Sequence, residues 1–197
     1  SKAKCIKGSK LMKKLMFKVG TIILSAGLLV GCSSVLEEER KEPVDAVIGY
    51  KNTYIGDASS VLKISYILPA GEYVKQLSLH TKEEPYEMTV DYGLKEEQDI
   101  SKEDFEKDWS ERNTKKVLLN NAISYFVLIN NVGVVHLNVE TTTPYKLTVT
   151  REDIESFVGK DVRTYADDAE LWKKEIEKDI IENEERVDEF YKNHSLQ

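Results

Sequence analysis

The stretch "LLNNAISYFVLINNVGVVHLNVETTTPYKLTV", residues 118–149, decides the fold class. Leu118, Ala122, Tyr125, Phe126 and Ile129 recur at three- and four-residue spacing, which places them on one face of a helix. "NNVG" at 130–133 then turns the chain. Val135, Leu137 and Val139 alternate with polar neighbours, and beyond "TTTP" so do Tyr145, Leu147 and Val149. That period of two is the pattern of half-buried strands. The order read is helix, strand, strand.

Upstream the same order recurs. "ISYIL" at 64–68 returns as "ISYFV" at 123–127, and "PYEMTV" at 85–90 returns as "PYKLTV" at 144–149. Both pairs are offset by 59 residues, with seven identities over the 27 aligned positions. The constant offset points to an internal duplication, with two similar amphipathic segments as the alternative. In the first copy Asp57 or Ser59 caps a helix bearing Val61, Ile64, Ile67 and Leu68 on one face. Pro69 and Gly71 end it. Leu77 and Leu79 alternate, "EEP" turns, and Tyr86, Met88, Val90 and Tyr92 alternate again. Each copy opens its second strand with a proline, where the missing N–H costs no ladder bond.

These patterns predict an α+β fold: two tandem helix-strand-strand repeats forming a four-stranded, mainly antiparallel sheet with helices on one face, plus C-terminal helices. The repeat-built domain spans 44–165 and an acidic amphipathic helix spans 166–197. The intervening 94–116 reads as a solvated connector with Phe105 and Trp109 tucked onto the core, or as a short helix started by Ser101 and Asp104. Thr150 with Asp153 forms a capping-box variant for a short helix with Ile154, Phe157 and Val158 on its apolar face and Gly159 as its stop. From about Asp167 a longer helix carries Trp172, Ile176, Ile180, Val187 and Phe190 or Tyr191 on one stripe and charge elsewhere. "ENEER" interrupts that stripe, so the last turns are expected to fray or to await a partner.

The N-terminal part speaks to location. Lys10, Lys13, Lys14 and Lys18 precede the apolar run Val19 to Val30, closed by Gly31 and Cys32. A basic region, a short apolar region and a small-residue cleavage site make an export signal. Twelve helical residues reach only about 18 Å, short of a hydrocarbon core of about 30 Å. Residues 1–31 read as a signal peptide with an upstream extension, Met12 being the natural start. Leu29-Val30-Gly31-Cys32 resembles the lipobox of bacterial lipoproteins, which implies diacylglycerol on the Cys32 thiol and cleavage just before it. Residues 32–43 then form a lipid-anchored tether, whose eleven flexible residues after Cys32 reach roughly 18 Å.

Residues 1–31 hold seven lysines and no acid, so the rest carries 21 basic and 35 acidic side chains, a formal charge of −14 rather than −7. An acidic chain excludes nucleic acid, which requires clustered Lys and Arg, and argues against lying flat on anionic lipid. No cysteine follows Cys32, so neither a disulfide nor a thiolate metal site is expected.

Catalytic patterns are thin. Ser60-Val61-Leu62-Lys63 fits S-x-x-K, and Tyr50-Lys51-Asn52 echoes the second motif of penicillin-binding enzymes, but no K-T-G follows and the chain is too short for that fold. His80, His136 and His194 share no ligand spacing, and the acidic clusters lack the spacing of a calcium loop, so no metal and no cofactor is expected. "YKNTYIGDASSV", 50–61, is an aromatic, glycine-containing loop leading into a helix, where backbone N–H groups can meet an anion.

Taken together, "YKNTYIGDASSV", "LHTKEEPYEMTVDY", "LLNNAISYFVLINNVGVVHLNV" and "TREDIESFVGKDV" resemble domain of unknown function 4825, found in lipoproteins and membrane proteins of Gram-positive bacteria. Its Y-x-G-D loop falls on Tyr54, Gly56 and Asp57, and its T-x-x-x-P-Y hairpin on Thr81, Pro85 and Tyr86. Its N-A-x-x-x-F-x-L-I-x-N-V helix falls on Asn121, Ala122, Phe126, Leu128, Ile129, Asn131 and Val132. The resemblance covers roughly Tyr50 to Val162. Similar segments are attached to beta-lactam-sensor-like membrane metallopeptidases, which implies a sensing or regulatory accessory role without enzyme activity in the domain. The expectation is a non-catalytic module on the extracytoplasmic face, held by lipid on Cys32, that binds an envelope protein partner or a ligand. Tyr54, Gly56 and Asp57 are the binding surface expected, together with the acidic C-terminal helix. A lipoprotein binding a small molecule or cell-wall fragment is the second reading, and a hydrolase the third.

Overall fold

The computed structural model describes residues 43–197. The export segment, Cys32 and the tether up to Glu42 lie outside the described residues.

Helix α1 (Pro43–Val47) begins on a proline, whose missing N–H is one a helix start leaves unpaired anyway. After a 3₁₀ turn at Ile48–Tyr50 and a loop, α2 (Ala58–Ile67) starts where the Asp57 carboxylate accepts the Ser60 N–H at 3.1 Å. The chain then folds back so closely that a Cβ on Gly71 would lie 2.2 Å from the Tyr66 carbonyl oxygen. Only glycine fits there.

Strands β1 (Val74–His80), β2 (Glu87–Tyr92), β3 (Val134–Val139) and β4 (Tyr145–Thr150) form one sheet in the order 1-2-3-4. β1–β2 and β3–β4 are antiparallel, and the two hairpins meet through a parallel β2–β3 pair. The registers Leu77↔Val90, Val90↔Leu137 and Leu137↔Leu147 align the apolar positions across all four strands. Met88, Val90, Tyr92, Val135, Leu137, Val139, Leu147 and Val149 are buried, while Thr89, Asp91, His136, Asn138 and Thr148 occupy the opposite, polar face. The helices cover the apolar face alone, as the alternation requires.

Between the hairpins, α3 (Lys102–Asp108) is capped by Ser101 and buries Phe105, while α4 (Glu111–Leu128) already takes in Lys115 and Lys116. The connector is therefore mostly helix. Every residue of α4 from Leu118 to Leu128 is buried, where the sequence shows only one apolar stripe. Covering the remaining sides are α2, the turn Val162–Asp167 and the C-terminal segments, so α4 is the axis of the molecule. Its interior polar groups are paired. Tyr125 donates to Ser65 Oγ (2.9 Å), and Asn121 donates to the Pro69 carbonyl (2.9 Å) and to Tyr92 Oη (3.0 Å). Burial pushes the Tyr92 hydroxyl up to about 12 and that of Tyr125 well above its usual value.

The helix-strand-strand order occurs twice, yet the two units do not superpose. With both helices on one face, β2 lies on one side of β1 and β4 on the other side of β3, relative to strand direction, because β2 and β3 run parallel. The gap-free offset also sets His136 against Leu77, although His136 faces the polar side and Leu77 the core. A register shift between Val74 and Gln76, leaving Lys75 as the extra residue, accompanies that parity difference. The repeat is one of element order and local sequence.

α5 (Arg151–Val158) carries the full Thr150/Asp153 capping box and ends on Gly159 at φ 89°. The C-terminal stripe is not a single helix. α6 (Ala169–Trp172) continues with π-type winding through Lys173–Ile181, and the chain restarts as α7 (Glu184–Asn193). Asn183 makes the restart, accepting the N–H groups of Glu185 and Arg186. The last turns neither fray nor wait for a partner. Phe190 and Tyr191 are buried, Tyr191 donates to the Lys115 carbonyl at 2.9 Å, and Gln197 exchanges two backbone hydrogen bonds with Lys146 of β4. The break at "ENEER" lets the second half turn back onto α4 and bury its stripe in the same core.

Candidate functional site

The loop Tyr50–Asp57 joins α1 to α2, and its backbone is pinned on both sides of Tyr54. Asn52 takes a left-handed conformation (φ 61°), which asparagine tolerates better than most residues. Thr53 bridges to Ile129 at the end of α4: its N–H donates to the Leu128 carbonyl (3.0 Å) and its carbonyl accepts the Asn130 N–H (2.8 Å). Ile55 is buried, and its N–H donates to Asn131 Oδ1 at 2.8 Å. The Asp57 N–H then closes a turn onto the Tyr54 carbonyl at 2.9 Å. Between those fixed points Tyr54 projects with 60% of its surface exposed. Gly56 and Asp57 are exposed beside it, so the three expected surface residues lie together.

The helix start is not an anion site. Asp57 itself occupies it, accepting the Ser60 N–H at 3.1 Å and the Ser60 hydroxyl at 2.7 Å. Those bonds, led by the hydroxyl and helped by Lys63, hold the Asp57 carboxyl below its usual value. A carboxylate there satisfies the N–H groups and repels a second anion. The same geometry accounts for S-x-x-K, since the Ser60 proton is committed to Asp57 and Lys63 lies exposed.

A pH dependence follows with a definite sign. Asp57 is lowered, and Asp161 is held at about 2, chiefly by hydrogen bonds from Arg163. A carboxyl that is more acidic when folded contributes stability above its unfolded value near 4, and loses it as pH falls through the folded value. Melting temperature should therefore be flat from pH 7 to about 4 and then decline. Both groups are near the surface, so each share is small. Asp57→Asn, which keeps an acceptor at the cap without titrating, should lessen the decline, whereas Asp57→Ala should lower the melting temperature by a few degrees already at pH 7. A decline as steep in Asp57→Asn as in wild type would exclude this cause.

Elsewhere the sheet's polar face pairs its own groups. His136 Nδ1 lies 2.9 Å from Thr148 Oγ1 and its Nε2 3.1 Å from Glu87, and Asn138 donates to Asp91 at 2.7 Å. His194 stacks on Phe190 and approaches Asp153 at 3.4 Å, and His80 stands across from Glu87 in the β1–β2 pair. The three histidines thus occupy separate places, and among the described residues no group of three His, Cys, Asp or Glu side chains is arranged to hold a metal ion.

Other motif residues prove to be architectural. Asn121, Ala122, Phe126, Leu128, Ile129 and Val132 are buried, and Asn131 holds the loop. Sequence reading missed Arg151, whose guanidinium donates to the carbonyls of Phe126 (2.9 Å), Ile129 (2.7 Å) and Val132 (3.2 Å). It thereby caps the end of α4 beneath the Tyr54 loop. Its position beside the Thr150 cap was readable, but the reach to a helix more than twenty residues earlier was not.

Comparison with known proteins adds one finding. The family described as domain of unknown function (DUF4825) matches residues 47–150, from the last residue of α1 to the end of β4. Neither a curated protein nor a solved structure matches the chain. The match covers more than half of the 197 residues, with the Tyr54 loop and all four strands inside it. The chain belongs to the DUF4825 family.

Proposed function

We propose that this chain is a lipid-anchored module on the extracytoplasmic face of the cell membrane, which binds a protein partner at the envelope and performs no catalysis itself. What carries the reading is the segment "FKVGTIILSAGLLVGCSS", 17–34: basic residues, a short apolar run and Gly31-Cys32, with ten further residues after Cys32 before the domain begins at Pro43. An acyl anchor on so short a tether confines the domain to the membrane's vicinity, where binding a neighbour is the economical use of a small acidic domain. Gram-positive origin accords with the lipobox-like segment and with the family.

Fractionation of cells making wild type and Cys32→Ala tests it. Wild type should sediment with membranes and be released by detergent but not by salt. Cys32→Ala should move to the soluble extracytoplasmic fraction. A Cys32→Ala protein that stays with membranes like wild type would refute the anchor.

The second reading, capture of a small cell-wall fragment, is favoured by a depression of about 400 Å3 between α5 and α7 whose lining includes Phe157, Phe190, Glu152 and Asp153. Its mark would be a rise in melting temperature with added muropeptide, since a ligand that binds only the native state stabilises it.

A further inference from the structure

We infer that His194 is a pH-sensitive latch: as the imidazolium it ties the end of α7 to the start of α5 and keeps the outer edge of β4 covered, and on losing a proton to water it lets that edge open. The device lies wholly within residues 145–197 and holds whether or not Cys32 carries lipid.

The first argument is how the ring is paired. Nδ1 lies 3.1 Å from the Phe190 carbonyl oxygen, one turn back in α7, and Nε2 lies 3.4 Å from Asp153 Oδ1 in the first turn of α5. Neither partner has a proton to give. A carbonyl only accepts. Burial works to raise the Asp153 carboxyl, yet hydrogen bonds from the Thr150 N–H and hydroxyl, joined by His194, hold it below its usual value, so it is ionised. A neutral imidazole carries one N–H and would turn a lone pair toward one of these two oxygens. Only a ring protonated on both nitrogens donates to both.

The other two histidines set the contrast. A neutral His136 ring is fully paired, because Nε2–H donates to Glu87 at 3.1 Å while Nδ1 accepts the Thr148 hydroxyl at 2.9 Å. His80 is exposed at the end of β1. Of the three, His194 alone meets pure acceptors on both sides.

The second argument is the surroundings. His194 is the C-cap of α7, where the last carbonyls of the helix favour a positive charge. Its ring stacks on Phe190 with centroids 4.4 Å apart, which fixes its orientation. The depression it lines also holds Glu152 and Asp153 of α5 and Glu189 of α7, so the other charged side chains of that lining are all carboxylates. Glu189 pairs with Arg186 of α7, and Arg151 pairs with Glu155 on α5. Lys192 of α7 and Lys146 of β4 are exposed.

The third argument is what the latch holds. Three residues on, Gln197 exchanges two backbone hydrogen bonds with Lys146, at 2.8 and 3.0 Å, along the outer edge of β4, the last strand of the sheet. Phe190 and Tyr191 are anchored in the core by their own burial, so release frees only the chain beyond α7. The sign is definite. A histidine whose charged form gains acceptors contributes its full share below the free-imidazole value of about 6.5 and loses it as pH rises. Because the opening is local, amide exchange reads it directly and the melting temperature scarcely does.

The test follows amide exchange by NMR on the full-length chain in detergent from about pH 5.5 to about pH 8.5, the span in which histidines titrate. Rates are expressed as protection factors, which remove the intrinsic pH dependence of exchange. Protection of the Lys146 and Gln197 amides should fall roughly three- to tenfold across that span, the worth of one partly exposed charged contact. Protection of Leu137, in the middle of the sheet, should stay level and reports that each variant is folded. His194→Gln, which has no charge to gain, should show the lower protection at every pH. Asp153→Asn, which keeps an acceptor at the α5 cap, should shrink the pH dependence, and His136→Gln should titrate like wild type. The inference is overturned by level protection in wild type, by a fall that persists in His194→Gln or is undiminished in Asp153→Asn, by its loss in His136→Gln, or by an equal fall at Leu137.

Discussion

Trp172→Ala is expected to lower the melting temperature by roughly 10 °C. Trp172 is 1% exposed and packs where α6 meets α1, lining one small cavity with Val44, Val47 and Leu68. Truncating a buried tryptophan removes transfer free energy and leaves a hole that neighbours fill only in part, about 3 to 5 kcal/mol. Total stability of such a domain is about 5 to 15 kcal/mol, and each kcal/mol corresponds to about 2 to 4 °C at this size. Trp172→Phe should recover most of the loss. Both are read by thermal melts followed by circular dichroism. The position decides an architectural question, because Trp172 lies beyond the family match ending at 150. An unchanged melt would show that the C-terminal helices fold as an appendage, whereas the expected drop shows that they complete the core.

The second large effect belongs to Arg151. Its side chain is 17% exposed, its guanidinium lies over the Phe126 ring at 5.1 Å, and its three hydrogen bonds reach carbonyls at and beyond the end of α4. Burial lowers its affinity for the proton, with Glu155 opposing that effect. A helix leaves its last carbonyls unpaired, and here Arg151 satisfies them where water has little access. Arg151→Met keeps the stem and strands the carbonyls, so a loss of about 2 to 4 kcal/mol is expected. Arg151→Lys should recover less than half, since a single ammonium lacks the planar fork that spans three acceptors. Arg163→Ala is the control: its pair with Asp161 is exposed, and removal should change stability by less than about 1 kcal/mol. Urea denaturation of the four proteins checks the series. Because Arg151 lies under Ile129 and Val132, Arg151→Met should also loosen the Thr53–Ile129 bridge, seen as faster amide exchange at Asn130.

Local chemistry was legible in the residues themselves. Asp57, Ser101 and the Thr150/Asp153 box start their helices, Gly159 ends one, and each alternating segment became a strand. These features depend on contacts within four residues or on a period of two or three to four, so the order along the chain suffices to show them. The Tyr54–Gly56–Asp57 cluster was legible for the same reason, being contiguous. Its role was not, because an N–H array that could meet an anion turned out to be filled by Asp57 itself, and only the structure shows which acceptor wins.

The sequence by itself determined the α+β class, the two helix-strand-strand segments, their caps and the acidic balance. Tertiary structure alone decided the parallel β2–β3 pairing, the opposite hand of the two units, the burial of α4 on all sides, and the return of α7 onto the core. Each joins residues far apart in the chain: Val90 with Leu137, Lys115 with Tyr191, Arg151 with Phe126. Such pairings are selected by how well whole elements bury apolar surface and satisfy each other's polar groups, a comparison among alternative packings that no local pattern encodes. The 59-residue offset shows the difference most plainly. It marked both copies of the motif, but one bulge at Lys75 and one parallel pair made them structurally unlike.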